Sequence, residues 1–155
     1  MAYSKTLMDK IETIYIYYEE HDCLAVLQRI MLFIRNCIEL IDETLLPIDS
    51  DELNQLKSRA REILQDDASP EKLNAIGFEY QNKVFSVKPF KELILDKQSF
   101  ATFRAFGYYF SNHHNDPTNQ FVHDFIELFV DNLHELEIPE RFVEKIADEL
   151  FGDIY

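Results

Sequence analysis

The stretch LAVLQRIMLFIRNCIELIDETL, residues 24–45, decides the fold. Its apolar residues alternate at intervals of three and four, at Leu24, Leu27, Met31, Ile34, Ile38, Ile41 and Leu45. This spacing places them on one side of an α-helix and predicts a long helix 2 from Asp22 to Leu46. Further apolar residues at Val26, Ile30, Phe33 and Cys37 widen the stripe. A wide stripe favours burial inside a helical bundle over pairing with a second chain.

The rest of the chain has the same helical character on both sides of this stretch. Helical periods and capping signals predict further helices at about 4–20, from Ser50, at 70–83, from Ser99, at 117–135 and from Pro139. The predicted buried positions are Leu7, Ile11, Ile14 and Tyr18 in the first of these helices, Leu128 among others in the helix 117–135, and Phe142, Ile146 and Leu150 in the last. The segment VFSVKPF, residues 84–90, is interpreted as a short extended link because Pro89 disfavours helix before it, with a short helix around Phe90–Asp96 as a further option. Only 3 Gly and 5 Pro occur, too few for the turns of a β-sandwich. We therefore predict an all-α, single-domain bundle of about six to seven helices over residues 1–155, with helix 2 at its centre.

The charge of the chain is strongly negative and unevenly distributed. The net charge is −14, and residues 83–115 are basic, with five basic side chains against two acidic ones. The remaining segments, 1–82 and 116–155, carry −8 and −9. Such a surface repels nucleic acid and anionic membranes and attracts basic proteins, although acidity also serves solubility alone. We expect a basic protein partner, no nucleic acid and no membrane.

The two cysteines and the apolar runs indicate the compartment. Cys23 and Cys37 lie in one predicted helix, about 21 Å apart along its axis, so they cannot form a disulfide with each other. We expect two reduced thiols. No signal-peptide core and no run of 18 apolar residues is present. These features predict a cytoplasmic protein.

Two acidic surfaces are candidates for binding the partner. In YIYYEEHD, residues 15–22, Tyr17 is expected to point outward beside Glu19, Glu20 and Asp22, as a tyrosine interface anchor does. Alternatively, Tyr17 packs on a neighbouring helix. The second candidate is a C-terminal face formed by Asp131, Glu135, Glu137 and Glu140, in a run that continues through Glu144, Asp148 and Asp153. The sequence does not distinguish between these two surfaces.

The stretch SNHHNDPTNQFVHDF, residues 111–125, has two interpretations. His113, His114, His123 and Asp124 are candidate metal ligands, and His-Asp doublets hold metal in phosphohydrolases of the HD type. Here the doublet is followed by the helical run FIELF and not by small residues, so we count no resemblance. Alternatively, the stretch ends one helix and starts the next, with Asp116 as N-cap and Pro117 at the first helical position. Capping accounts for the whole stretch, and we predict no cofactor.

Three functions are compatible with the sequence. The first is a small acidic binding protein that neutralises a basic partner, of the immunity or antitoxin type that inhibits a bacterial nuclease-like toxin. Its chemistry is analogous to that of the acidic helical immunity proteins of nuclease colicins, whose motif residues do not occur here. The second is a helical adaptor or regulator that acts through protein–protein contacts, for example along helix 2. The third is a metal-dependent HD-like hydrolase. We expect the first and therefore no enzyme; the partner and the oligomeric state are left open.

Overall fold

The computed structural model describes residues 3–21, 24–66, 70–110 and 122–154. Within these ranges the chain forms eight α-helices, one 3-10 turn and no strand. The helices are α1 (Lys5–His21), α2 (Leu24–Ile38), α3 (Ser50–Asp66), α4 (Pro70–Val87), α5 (Phe90–Leu93), α6 (Lys97–Phe110), α7 (Val122–Glu135) and α8 (Glu140–Phe151), and the 3-10 turn Glu43–Leu45 lies between α2 and α3. The all-α prediction is confirmed.

The predicted long helix 2 is not confirmed, because α2 ends at Ile38 after 15 residues. The next hydrogen bonds span three residues instead of four. For example, the N–H of Ile41 donates to the carbonyl of Ile38 at 3.0 Å. Asp42 takes an extended conformation and its carboxylate accepts the N–H of Thr44 at 3.0 Å, which starts the 3-10 turn. Ile41 is nevertheless buried. The alternating apolar spacing therefore continues across a turn that ends the helix.

The core is built around α6 and not around α2. Helix α6 packs against α2, α3, α4, α5 and α7, and eight of its 14 residues are buried. Helix α2 packs against α1, α6 and α8. The predicted widening of its stripe is confirmed, since Val26, Ile30, Phe33 and Cys37 are all buried. The predicted inner stripe of α1 is confirmed as well, with Leu7, Ile11, Ile14 and Tyr18 buried.

Several helix ends differ from the prediction. The segment 84–87 is not an extended link: α4 continues to Val87, and Val84 is fully buried. Asp49 and not Ser50 supplies the cap of α3, because its carboxylate accepts the N–H of Glu52 at 3.2 Å. Asp96 caps α6 in the same way, accepting the N–H of Ser99 at 3.2 Å. In both helices the cap is therefore an aspartate that precedes the predicted serine. Asp49 lies one residue before Ser50, and Asp96 lies three residues before Ser99.

The buried face of α8 is rotated by one residue from the prediction. Val143, Ala147 and Phe151 are fully buried, whereas of the predicted stripe Ile146 and Leu150 are only partly buried against the core and Phe142 is exposed. The ring of Phe151 lies edge-on to Phe33, with centroids 6.3 Å apart. Small Ala147 allows the close approach of a neighbouring helix. In α7, Leu128 is exposed and not inward as predicted.

Candidate functional site

Helices α1 and α7 run antiparallel and leave an acidic cleft between them. At one end the ring of Tyr3 meets His134 edge-on at a centroid distance of 5.0 Å. Farther along, the cleft has a volume of about 210 Å³. Its lining residues are Met8, Asp9, Ile11, Glu12, Tyr15 and Glu127, which we call the acidic cleft. Three carboxylates thus stand beside apolar atoms of Met8 and Ile11.

This arrangement suits the side chain of a lysine or an arginine. Such a side chain has an apolar stem, which packs on a surface such as that of the partly exposed Met8, and a cationic head. The head donates charge-assisted hydrogen bonds to carboxylates, the stronger class of hydrogen bond in proteins. Glu12 is exposed and forms no ion pair with a described residue, whereas Asp9 pairs with the exposed Lys5 at 3.1 Å. Glu12 is therefore open to a cation from outside.

No residue of either predicted acidic surface lines the acidic cleft, but one residue of each lies one helical turn beyond a residue that does. Glu19 follows Met8, Glu12 and Tyr15 at helical spacing, so it lies on the same face of α1. Asp131 lies one turn after Glu127 on α7. Partial burial raises the pKa of Asp131, and this effect outweighs the nearby cations of His134 and Arg104, which lower it, while Glu135 raises it further. The Asp131 carboxylate is thus under-solvated, and an external cation would stabilise its charge.

Tyr17 and Glu19 do not share a face of α1. At 3.6 residues per turn they lie about 160° apart around the helix. Tyr17 is half-buried against the core and stacks on His21, with ring centroids 3.8 Å apart. Glu20 is exposed, and Asp22 lies outside the described residues. The tyrosine therefore faces a different side of the molecule from the acidic cleft.

The C-terminal acidic face is largely used within the fold. Glu140 accepts hydrogen bonds from the N–H of Ser4 at 2.8 Å and from its hydroxyl. Lys10 bridges Glu144 at 3.1 Å and Asp148 at 2.9 Å. A further ion pair joins Arg29 to Asp153. These four carboxylates hold α1 and α2 against α8.

Glu135 and Glu137 remain exposed and form no ion pair with the described part of the chain. Glu137 has a left-handed backbone, with φ 60°. It ends α7 in a Schellman motif, in which the N–H of Ile138 donates to the carbonyl of Leu133 at 3.1 Å. Glu137 thus has a backbone role, and only its carboxylate is available to a partner.

The candidate metal ligands fall outside what the structure describes. His113 and His114, with the predicted cap of Asp116 and Pro117, belong to residues 111–121, and the side chains of His123 and Asp124 are not described either. Helix α7 is described from Val122 onward. Among the residues that are described, no three His, Cys, Asp or Glu side chains form a metal-binding group. The metal interpretation of this stretch stays untested.

Two further surface depressions lined by described residues are shallow. One lies along the outer side of α8, at Arg141, Glu144 and Lys145, and another along α3, at Asp51 and Arg59. Each is lined by a single helix, whereas the acidic cleft is lined by two. Burial raises the pKa of the Cys37 thiol, which makes it a poor nucleophile. In the described ranges, no helix has the length and apolar character needed to span a membrane.

Comparison with known proteins gives no relative. No family model, no curated protein sequence and no solved structure matches the chain. The geometry of the described residues therefore carries the functional argument.

The sequence contains a signal for the acidic cleft that the prediction did not use. Met8, Glu12, Tyr15 and Glu19 repeat at intervals of four, three and four, immediately beside the buried stripe of α1. That spacing defines a second face of the helix. It does not say which helix lies across from it, so Glu127 could not be assigned to the same cleft.

Proposed function

We propose that the protein binds and neutralises a basic protein partner, as immunity proteins and antitoxins do, and that the acidic cleft receives a lysine or arginine of that partner. The observation that carries the proposal is the acidic cleft itself. It places Asp9, Glu12 and Glu127 around one opening between two helices. Glu19 and Asp131 continue the same two helices with further carboxylates, each one turn beyond a residue that lines the cleft.

The charge of the whole molecule supports this proposal. A net charge of −14 attracts a positively charged protein over long range and increases the association rate. Nuclease-like toxins are basic because they bind phosphate backbones. A partner held at the acidic cleft would have its basic, substrate-binding surface covered by an acidic one. Neutralisation would then follow from exclusion of the substrate.

An adaptor function along helix 2 has less support. Of the described positions of this apolar repeat, Met31, Ile34, Ile38 and Ile41 are buried in the core of the chain itself, and Leu45 is partly buried. A second chain could reach them only if the bundle opened, at the loss of several core contacts. The basic partner is therefore the better-supported proposal.

The test is capture of the partner by the tagged protein from a lysate of its native cells, at low salt and at high salt. We expect one stoichiometric basic polypeptide that is released by salt, since surface charge attraction is screened. The purified partner should then be inhibited, or be less toxic to cells, when the protein is added. Capture of an acidic polypeptide, or of a basic one whose activity is unchanged, would contradict the proposal.

A further inference from the structure

Three positive side chains gather around Tyr109, where α2, α3 and α6 meet. The ring of Tyr109 is buried, and the central guanidinium carbon of Arg35 lies 5.8 Å from its centroid. The Tyr109 hydroxyl donates to the backbone carbonyl of Lys57 at 3.3 Å, which joins the ring to α3. Arg61 lies one turn after Lys57 on the same helix. We call Arg35, Lys57, Arg61 and Tyr109 the basic cluster.

Arg35 lacks a hydrogen-bond acceptor inside the fold. Its Nε and Nη2 atoms are buried and form no hydrogen bond. The mostly buried Lys57, by contrast, is paired with Glu39 at 3.5 Å and with Glu43 at 3.9 Å. The two carboxylates beside the cluster thus compensate the lysine. A buried charge without an acceptor is unfavourable, because water no longer solvates it, so an anion that reached Arg35 would relieve this cost.

The two unpaired atoms of Arg35 determine the kind of acceptor that fits. Nε and Nη2 lie on one edge of the planar guanidinium, where their N–H bonds point the same way. Two oxygens of one carboxylate or one phosphate fit such an edge and accept two parallel hydrogen bonds. The geometry therefore favours an oxyanion over a monatomic anion such as chloride.

Arg61 distinguishes between these two oxyanions by its charge. Burial lowers the pKa of Arg35, and the cation of Arg61 lowers it further, against the opposite effect of Tyr109. The two guanidiniums are therefore within electrostatic range of each other. Arg61 is exposed, donates a long hydrogen bond to the Ser58 hydroxyl at 3.4 Å and forms no ion pair with a described residue. Two uncompensated cations suit a phosphate group, which carries about −1.5 to −2 at neutral pH, better than a singly charged carboxylate.

We infer that the basic cluster binds the phosphate group of a small ligand, with the Nε–Nη2 edge of Arg35 on two phosphate oxygens and Arg61 on a third. Arg61 is exposed and Arg35 is partly exposed, so the ligand enters from solvent between α2 and α3, and Arg35 turns its free edge toward it. A nucleic acid would bring many further phosphates against a molecule of net charge −14, so a single phosphate ester is the better match. The inference does not rest on the proposed function, since the acidic cleft lies between α1 and α7.

The test is isothermal titration calorimetry of the full chain with inorganic phosphate, and with acetate at the same ionic strength. Arg35→Met and Arg61→Met each remove one guanidinium and keep an apolar stem. Arg141→Met is the control, because Arg141 is exposed on α8 and its loss changes the net charge equally. We expect the wild type and Arg141→Met to bind phosphate alike, and to bind it more tightly than acetate. Binding should weaken at least about tenfold in Arg35→Met and several-fold in Arg61→Met, since charge-assisted hydrogen bonds are lost.

Urea unfolding without phosphate separates binding from a structural role of Arg35. Arg35→Met should be at least as stable as the wild type, because it removes a buried charge that has no acceptor. If Arg35→Met is less stable, the exposed position of Arg61 still allows the site to be tested in a folded chain. Three outcomes would overturn the inference: no phosphate binding by the wild type, acetate binding as tight as phosphate binding, or unchanged phosphate binding in Arg61→Met or in a folded Arg35→Met.

Discussion

Glu140 helps to cap the N-terminus of helix α1, because its carboxylate accepts a hydrogen bond at 2.8 Å from the backbone N–H of Ser4, a residue 136 positions earlier in the chain. Ser4 in turn accepts the N–H of Leu7 with its hydroxyl at 3.4 Å, so the two residues together cap α1. A carboxylate at this end of a helix is also favoured by the helix dipole. Part of the acidity of the C-terminal segment therefore stabilises the fold and is not available to a partner.

Glu140→Gln is expected to lower the free energy of unfolding by about 1 kcal/mol, because a charge-assisted hydrogen bond at a partly exposed site is weakened. Capture of the basic partner should be unchanged. Urea unfolding followed by circular dichroism measures the first quantity. Glu62→Gln is the control, since Glu62 is exposed and forms no ion pair among the described residues, and it should unfold like the wild type. Unchanged stability in Glu140→Gln together with lost capture would assign Glu140 to the partner contact instead.

Asp131→Asn is expected to stabilise the protein at neutral pH. Because the folded-state pKa of Asp131 is raised, the ionised form at neutral pH disfavours folding, and asparagine removes this penalty. The penalty disappears as the pH falls below the unfolded-state pKa of about 3.9, where the carboxyl is protonated in both states. The gain in Tm should therefore be present at neutral pH and vanish in acid. Thermal unfolding over this pH range measures it, and a gain that grows in acid would contradict the assignment.

The same Asp131→Asn substitution should weaken capture of the basic partner, because it removes one carboxylate beside the acidic cleft. Stability and binding are thus expected to change in opposite directions. If the substitution instead destabilised the structure and binding were lost through partial unfolding, both the Tm and the capture of the partner would decrease. Measuring Tm and capture on the same preparation separates these explanations.

Glu137→Gly is expected to raise the free energy of unfolding by about 0.5–1 kcal/mol. Glu137 has φ 60°, a conformation that strains a residue with a side chain and not glycine. Glu135→Gly is the matched control two residues earlier, where the backbone is helical and glycine should destabilise. Urea unfolding of both variants gives the comparison. Equal losses of stability would show that the end of α7 is not left-handed in solution.

Cys37 is expected to resist alkylation in the folded protein. Its side chain is fully buried, and burial raises the pKa of its thiol, so little thiolate forms and reagents cannot reach it. In a Cys23→Ser variant, iodoacetamide should label the remaining thiol only after unfolding. Rapid labelling under native conditions would contradict the placement of α2 in the core.

The sequence was sufficient for the features that depend on one helix at a time. The inner stripe of α1 was predicted correctly, since Leu7, Ile11, Ile14 and Tyr18 leave one choice of buried face. The prediction failed where two faces of the same helix were nearly equally apolar. In α8, the larger side chains of Phe142, Ile146 and Leu150 favoured one face, yet the neighbouring face with Ala147 is buried. Contacts of α8 with other helices, which the sequence does not display, select between the two.

The end of α2 and the acidic cleft show the same limit. Ile41 keeps the apolar spacing of a helix although it follows a turn, so spacing alone overestimated the length of α2. The acidic cleft requires that α7 lies across α1, which brings Glu127 to Glu12 from more than a hundred residues away. A pattern within one helix cannot contain that information.

The most direct test of a binding role for the acidic cleft is to compare capture of the basic partner by the wild-type chain, Glu12→Lys and Glu62→Lys at low salt. Both substitutions change the net charge equally, and both glutamates are exposed on helices, but only Glu12 lines the acidic cleft. We predict that Glu62→Lys retains the partner and that Glu12→Lys binds it at least about tenfold more weakly, the loss expected when a charge-assisted contact becomes a repulsive one. Equal capture by the two variants would contradict the assignment of partner binding to the acidic cleft.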